Sequence, residues 1–299
     1  MARRKRKGSP IVALIIVILS ALIYTYFGGN VDLGGERQTE VVDGTIEFYV
    51  LDVGQADAIL IKSEKGNILF DSGDLDTKYE LVDTLGKLGV SEIEYAIFTH
   101  PHADHIGGAD VVLTSLKVHN VIMPVLDDKD VPTTKVYERL IKAIEDNEAI
   151  NLIAAEPDSE YSVGDVKMKI LAPASPDYTD LNNYSVVVRV DFGATSFMMT
   201  GDAEDVSEEE MLVRYPASEL KATVYKAAHH GAAESNTEGF LAAVRPEIIV
   251  ISCGADNSYG HPHAETMTRF EATGAKIYRT DIDGTLKFIS DGVTVAVAD

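Results

Sequence analysis

Four side chains able to bind a divalent cation, His100, His102, Asp104 and His105, fall within six residues in the string Thr-His-Pro-His-Ala-Asp-His-Ile-Gly-Gly, directly after the apolar run Tyr95-Ala96-Ile97-Phe98. Neutral imidazole and carboxylate are the ligands that a borderline ion takes at neutral pH. A tight loop after a strand can aim several of them at one point, and Pro101 with the pair Gly107-Gly108 suits such a loop. The chain has only eight histidines, so three in so short a stretch point to a metal site and not to a scatter of surface side chains. An ion held there would make a coordinated water a nucleophile at neutral pH.

Further landmarks follow in order: Phe70-Asp71-Ser72-Gly73 upstream, then Thr200-Gly201-Asp202 and Ala228-His229-His230-Gly231, each after a strand-like run. Alone, Asp202 reads equally well as a turn or helix-cap residue. Together with the H-x-H-x-D-H string, these segments resemble the metallo-β-lactamase superfamily. The resemblance implies an α/β fold, the αββα four-layer sandwich, and one or two divalent ions. By the same resemblance His100 and His102 serve metal one, Asp104 and His105 serve metal two, and Asp202 bridges them. One of His229 or His230 completes metal two, and the sequence does not choose between them.

Three more segments, Leu51-Asp52-Val53-Gly54-Gln55-Ala56-Asp57, Leu181-Asn182-Asn183-Tyr184-Ser185 and Tyr259-Gly260-His261-Pro262-His263, are similar to the hydrolase domain of ComEC-type competence proteins over nearly all of 46–299. Ala56 stands where that group usually has Gly, and Ala232 where it usually has Ser. The multi-span channel domain of those proteins has no counterpart in this sequence, so a role as DNA uptake channel is not implied. Many superfamily members place the third ligand of metal one between His105 and Asp202, where this chain offers only His119, which reads as a half-buried strand residue. In the resembled group Asn182, Asn183 and Ser185 occupy that interval as weak or water-mediated ligands, which makes Mn2+ plausible beside Zn2+. Asp57 and Asp71 are expected either behind the metal-binding imidazoles or in turns beside Gly54 and Gly73. His261 and His263, flanking Pro262, suit contact with a phosphate or protonation of a leaving group. With Asp104 they are the catalytic candidates. The resemblance favours a small or polymeric phosphoester substrate, DNA among the candidates. Another extracellular ester (phosphorylcholine, teichoic acid or a lactone) is the enzymatic alternative, and a metal-stabilised surface binding module is the non-enzymatic one. No protein partner is inferred.

The elements that must position these groups alternate. Strand patterns cover Ile46–Leu51, Ala58–Ile61, Asn67–Phe70, Tyr95–Phe98, Val118–Met123, Val166–Leu171, Val186–Phe192, Phe197–Thr200, Ala222–Ala227, Ile248–Ile251, Lys276–Tyr278 and Thr285–Ile289. Helical spacing covers Tyr79–Leu88, Val136–Ile144, Glu208–Arg214, Thr237–Val244 and Glu265–Ala272. Such a mixture suits two mixed sheets with helices on their outer faces, in one domain over 44–299.

Charge restricts the partners. The chain has 26 basic and 48 acidic residues, a formal charge of −22. Setting aside Arg3, Arg4, Lys5, Arg6 and Lys7 leaves 21 against 48, or −27. A surface so negative repels polyanions at long range, so a nucleic-acid substrate would have to be held by local cations or bound metal, which counts against a tight non-specific binder. The single Cys253 excludes an internal disulfide and a Cys-rich zinc cluster, and reads as a buried small side chain at a strand end. The five basic residues, in a tail over 1–10, precede an apolar run at 11–27 just long enough to span a bilayer as a helix. A Gly-rich linker follows at 28–43. The basic tail favours a cytoplasmic N-terminus, giving a single-pass cell-membrane protein with its catalytic domain outside. A cleaved signal peptide and a secreted domain is the alternative, disfavoured by Tyr24, Tyr26 and Phe27 where small residues would flank a cleavage site.

Overall fold

The computed structural model describes residues 42–298. The expected anchor at 11–27 and most of the linker lie outside the described residues. Among those described, no helix is long and apolar enough to cross a membrane.

One sheet has eight strands: β1 (Ile46–Val50), β2 (Ile59–Ser63), β3 (Gly66–Phe70), β4 (Glu92–Ile97), β5 (Lys117–Met123), β6 (Asn151–Ala154), β14 (Leu286–Ser290) and β15 (Val295–Ala298). Their order is β15-β14-β1-β2-β3-β4-β5-β6. The other has seven: β7 (Glu160–Val163), β8 (Val166–Ala172), β9 (Val187–Phe192), β10 (Thr195–Met199), β11 (Val224–Lys226), β12 (Ile248–Ile251) and β13 (Lys276–Arg279), in the order β13-β12-β11-β10-β9-β8-β7. Strands β3 to β6 run parallel, as do β10 to β13, while the remaining pairs are antiparallel.

Each sheet is buried on both faces because alternate side chains point to different cores. Phe48, Val50 and Ile59 of the first sheet meet Val188, Val190 and Phe197 of the second in a layer between the sheets. The Phe48 ring lies 5.0 Å from Phe197 and 6.0 Å from Phe288. The other face, with Tyr49, Leu60, Leu69 and Ala96, packs under α1 (Lys78–Lys87), α3 (Ala109–Ser115) and α4 (Lys135–Glu145). Across the second sheet, Met198, Tyr225 and Ile249 pack under α5 (Asp205–Arg214), α7 (Glu238–Val244) and α8 (Ala264–Thr273). Three apolar layers separate four layers of structure, as the sequence led us to expect. Short helices α2 (Ala103–Ile106), α6 (Ala217–Leu220) and α9 (Thr280–Asp283) occupy connections.

The sequence reading missed β6, β7 and β15. All three are edge strands. An edge strand has fewer apolar neighbours and keeps polar, exposed positions; every residue of β6 retains solvent contact. The period-two signal is weakest there.

The consequence for function is where strands end. Asp71 follows β3, His100 follows β4, Asp202 follows β10, and His229 and His230 follow β11. These are carboxyl ends of strands with parallel neighbours, gathered at one rim of the sandwich, where open α/β sheets place their ligands.

Candidate metal centre

Close backbone approaches shape the rim. A Cβ on Gly107 would lie 2.3 Å from the Leu75 nitrogen, and one on Gly201, at φ 51°, would lie 2.8 Å from the Thr99 side chain. Only glycine lets the loop after β3 pack on α2 and the β10 turn pack on the β4 extension. His229 and His230 both adopt left-handed backbone, at φ 49° and 53°, a conformation that costs a non-glycine residue about 1–2 kcal/mol. Buried Asn236 holds this turn: its Oδ1 accepts from the Ala228 N–H and its Nδ2 donates to the Ala228 carbonyl, both at 2.9 Å. Buried Glu208 in turn accepts the Asn236 and Thr237 N–H groups at 2.6 and 2.8 Å.

On this scaffold one ligand atom each from Asp104, His105, Asp202 and His230 lies within 4.8 Å of the others. Asp202 Oδ1 is 3.2 Å and Asp104 Oδ2 is 3.9 Å from His105 Nε2. His230 Nε2 is 3.4 Å from Asp104 Oδ2 and 3.7 Å from Asp202 Oδ2. Edges of this length match the roughly 3.4 Å spacing of donors set tetrahedrally about an ion at ~2.1 Å. His105 Nε2, Asp202 Oδ1 and His230 Nε2 are sealed from solvent and make no hydrogen bond of acceptable geometry. Orphaned buried atoms are rare without a reason, and here a cation would satisfy all three.

Asp202 also faces a second group. Its Oδ2 is 3.9 Å from His100 Nε2 and 3.6 Å from His229 Nε2, and His100 Nε2 lies 3.1 Å from His102 Nδ1. His100, His102, Asp104, His105, Asp202, His229 and His230 thus converge. The geometry sorts the adjacent pair that the sequence left open: His230 joins Asp104, His105 and Asp202 in one group, whereas His229, 3.6 Å from Asp202 Oδ2, has its Nδ1 3.4 Å from Glu204.

A polar shell fixes the orientation of these rings. Asp71 accepts from His105 Nδ1 at 2.8 Å and is itself held by the Thr99 N–H and hydroxyl at 2.7 and 2.8 Å. His230 Nδ1 donates to the Ser252 carbonyl at 2.8 Å and lies 3.4 Å from Asp57, whose other oxygen meets fully buried Lys226 at 2.8 Å. Ser185 Oγ accepts the Asp202 N–H at 3.0 Å and stands 3.3 Å from His100 Nδ1. The Asn182 and Asn183 amides turn to Glu204, at 2.9 and 3.3 Å. They therefore brace the rim, and it is Ser185 that reaches a candidate ligand directly.

His261 lies at the edge of the cluster, its ring 5.4 Å from His229 and 6.1 Å from His230. His263 is beside it but committed: Nδ1 accepts the Ala233 N–H at 3.0 Å and Nε2 donates to the Tyr259 carbonyl at 3.1 Å. His119 is a half-buried residue of β5, as its strand context suggested, and pairs with Glu92 of β4. Cys253 is buried and its thiol, pushed up to about 12 by burial and by Asp281, is inert. Lys226, Glu204, Glu208 and Asn236 escaped the sequence reading. Only the apolar strand around Lys226 hinted that its charge would need a buried partner.

Electrostatics follow from this crowding. Burial opposes charge on His230, yet Asp202 and Asp57 outweigh it and raise the imidazole to about 10. His105 rises likewise, burial being overcome by Asp202, Asp71 and Asp104. Burial and the neighbouring His105 hold His100 well below its ordinary value. Burial works against ionised Asp202, but the His105 and His230 charges bring it well below the usual carboxylate range. Without an ion, protons on His105 and His230 neutralise the carboxylates.

The sequence model of the metallo-beta-lactamase superfamily matches residues 51–255, which contain the entire cluster from Asp57 to His230. The chain belongs to the metallo-beta-lactamase superfamily. It is 28% identical over 264 residues to ComE operon protein 3 of Bacillus subtilis, covering 81% of this chain and 33% of that protein. Competence protein ComA of Neisseria gonorrhoeae is 28% identical over 253 residues, covering 84% and 33%. The chain spans about a third of the length of these curated relatives. Among solved structures, the metallo-beta-lactamase fold protein YhfI from Bacillus subtilis aligns with a TM-score of 0.54 at 12% identity, over 82% of this chain and all of that one. That likeness concerns the fold. The superfamily's metallo-hydrolase fold and this His/Asp cluster together support a metal-dependent hydrolase.

Two outcomes are expected. Asp57→Ala leaves the Lys226 charge buried alone and should destabilise the protein by about 3–5 kcal/mol, whereas adding Lys226→Met should recover much of the loss; urea unfolding of the two variants checks this, and equal losses would contradict it. A metal ion must also expel the proton that His230 retains above its ordinary value of 6.5. Apparent metal affinity should therefore rise with pH from near 6.5 up to about 10. Chelator competition across that window measures it, and a flat profile would count against these ligands.

Proposed function

We propose that the chain is a phosphodiesterase whose active centre is the cluster around Asp202, with nucleic acid as its polymeric substrate. The supporting observation is that candidate ligands surround one buried carboxylate: Asp202 Oδ1 lies 3.2 Å from His105 Nε2, and its Oδ2 lies 3.6, 3.7 and 3.9 Å from the Nε2 atoms of His229, His230 and His100. A pair of ligand sets sharing one bridging group is the arrangement used to clamp the attacking and leaving oxygens of a phosphoryl centre. The likeness to competence proteins points the same way.

Zinc or manganese, bound as one or two ions, would supply an activated water and offset charge on the attacked phosphate. His105, Asp104, Asp202 and His230 would hold one ion, and His100, His102 and Asp202 the other. The remaining steps fall to the protein. Gln55 Oε1 accepts the Gly254 N–H at 3.0 Å, which turns its Nε2 toward His261 Nδ1 at 3.3 Å. His261 then carries its hydrogen on Nε2, a donor for a phosphoryl oxygen or a leaving group. In the metal-free protein burial and the nearby His230 and His229 charges pull its pKa to about 4, so the ring is neutral at physiological pH. Asp71, Asp57 and Ser185 orient the rings, and His263 holds the loop that presents His261.

The location we propose is the outer face of the cell membrane. It rests on the basic tail and the apolar run at 11–27, with a secreted form if that run is cleaved.

Asp202→Ala should remove metal-dependent hydrolysis of bis-p-nitrophenyl phosphate, well beyond the ~10–100-fold loss typical of outer supports, and lower metal content. Asp71→Asn should fall within that smaller range. Unchanged turnover in Asp202→Ala would refute the proposal, and a lactone or phosphomonoester hydrolysed in preference to any diester would redirect it.

A further inference from the structure

The loop that bears His261 also carries an exposed aromatic side chain with no part in the metal centre. Tyr259 is 66% exposed, yet it is held in place. Its carbonyl accepts from His263 Nε2, and Gly260, at φ 76°, turns the chain so that the Tyr259 ring overlies His261, 5.6 Å between centroids and 24° between planes. His261 overlies His230 in the same way, at 6.1 Å and 22°. Rings each within 24° of the next therefore lead from a candidate metal ligand out to solvent, and the last of them is largely exposed.

The charge balance says what that ring is suited to. A polymer of phosphodiesters meets a chain with 48 acidic residues against 26 basic ones, and Lys226, beside the centre, is buried and committed to Asp57. A charge balance this negative weakens the grip of cations on a phosphate backbone, the usual source of affinity. Stacking on an aromatic face needs no charge, tolerates any base, and gains about tenfold in affinity or more per base. A ring already fixed by its neighbours loses little freedom on binding.

We infer that Tyr259 is a stacking platform for a nucleobase next to the scissile phosphate, selecting single-stranded nucleic acid over diesters without bases. The inference rests on the phosphodiesterase reading above. The test uses the metal-loaded full chain and two oligomers of equal length, an oligothymidylate and its abasic counterpart. The unmodified protein should show a KM about tenfold lower for the oligothymidylate; Tyr259→Ala should erase that preference and Tyr259→Phe retain it. A Tyr259→Ala protein that keeps the preference overturns the inference. So does one whose kcat falls equally on both oligomers with the KM ratio intact, the mark of a ring that only props His261. Asp202-dependent hydrolysis of bis-p-nitrophenyl phosphate, measured alongside, separates the two readings. If it is present without a base preference, the platform alone fails. If it is absent, the phosphodiesterase reading fails and the platform with it.

Discussion

Three carboxylates, Asp57, Asp71 and Asp202, lie buried within one rim of the sandwich, and Asp104 stands at its mouth. Burying one ionised carboxylate costs several kcal/mol unless a cation or a set of donors compensates. Each of the four has a different answer: Lys226 for Asp57, the Thr99 hydroxyl and N–H with His105 for Asp71, His230 for Asp104, and for Asp202 a ring of imidazoles that leaves one oxygen without a hydrogen bond. Concentrated negative charge facing unpaired imidazole nitrogens is what a divalent cation requires. The rest of the rim keeps those groups from drifting apart.

The sandwich makes this possible because two parallel segments from different sheets end side by side. Every ligand candidate leaves a strand that is hydrogen-bonded on both sides, so its backbone is fixed before its side chain is placed. Left-handed non-glycine backbone recurs at the rim, at Asp71 and at the His229–His230 turn, the latter held by Asn236 and Glu208. Strain that persists at a ligand turn, supported by buried hydrogen bonds, is a feature of preorganised sites.

The His100–His105 string was legible in the sequence because its ligands are contiguous, and a loop after an apolar strand is a local feature. Asp202 and the His229-His230 pair were legible only as landmarks of a resemblance, since nothing local distinguishes Asp202 from a turn residue. Which of the two histidines joins Asp104 depends on left-handed backbone that no side-chain pattern encodes. Lys226 and Asp57 meet across the rim from strands and loops far apart in the chain, so their pairing is a product of topology. Asn182 and Asn183 sit in the expected place, but their amides are drawn to Glu204, a residue that spacing alone does not connect to them. Of the missed edge strands, β6 and β15 show no burial alternation, while β7 alternates but is only four residues long, too short to stand out.

The most direct measurement is anomalous diffraction from crystals grown with zinc or manganese, recorded at the absorption edge of the metal. The expected result is density within about 2.0–2.3 Å of His105 Nε2, Asp104, Asp202 and His230 Nε2, with any second ion between His100, His102 and Asp202. Density only at exposed carboxylates, with the cluster around Asp202 empty in metal-replete crystals, would contradict the account.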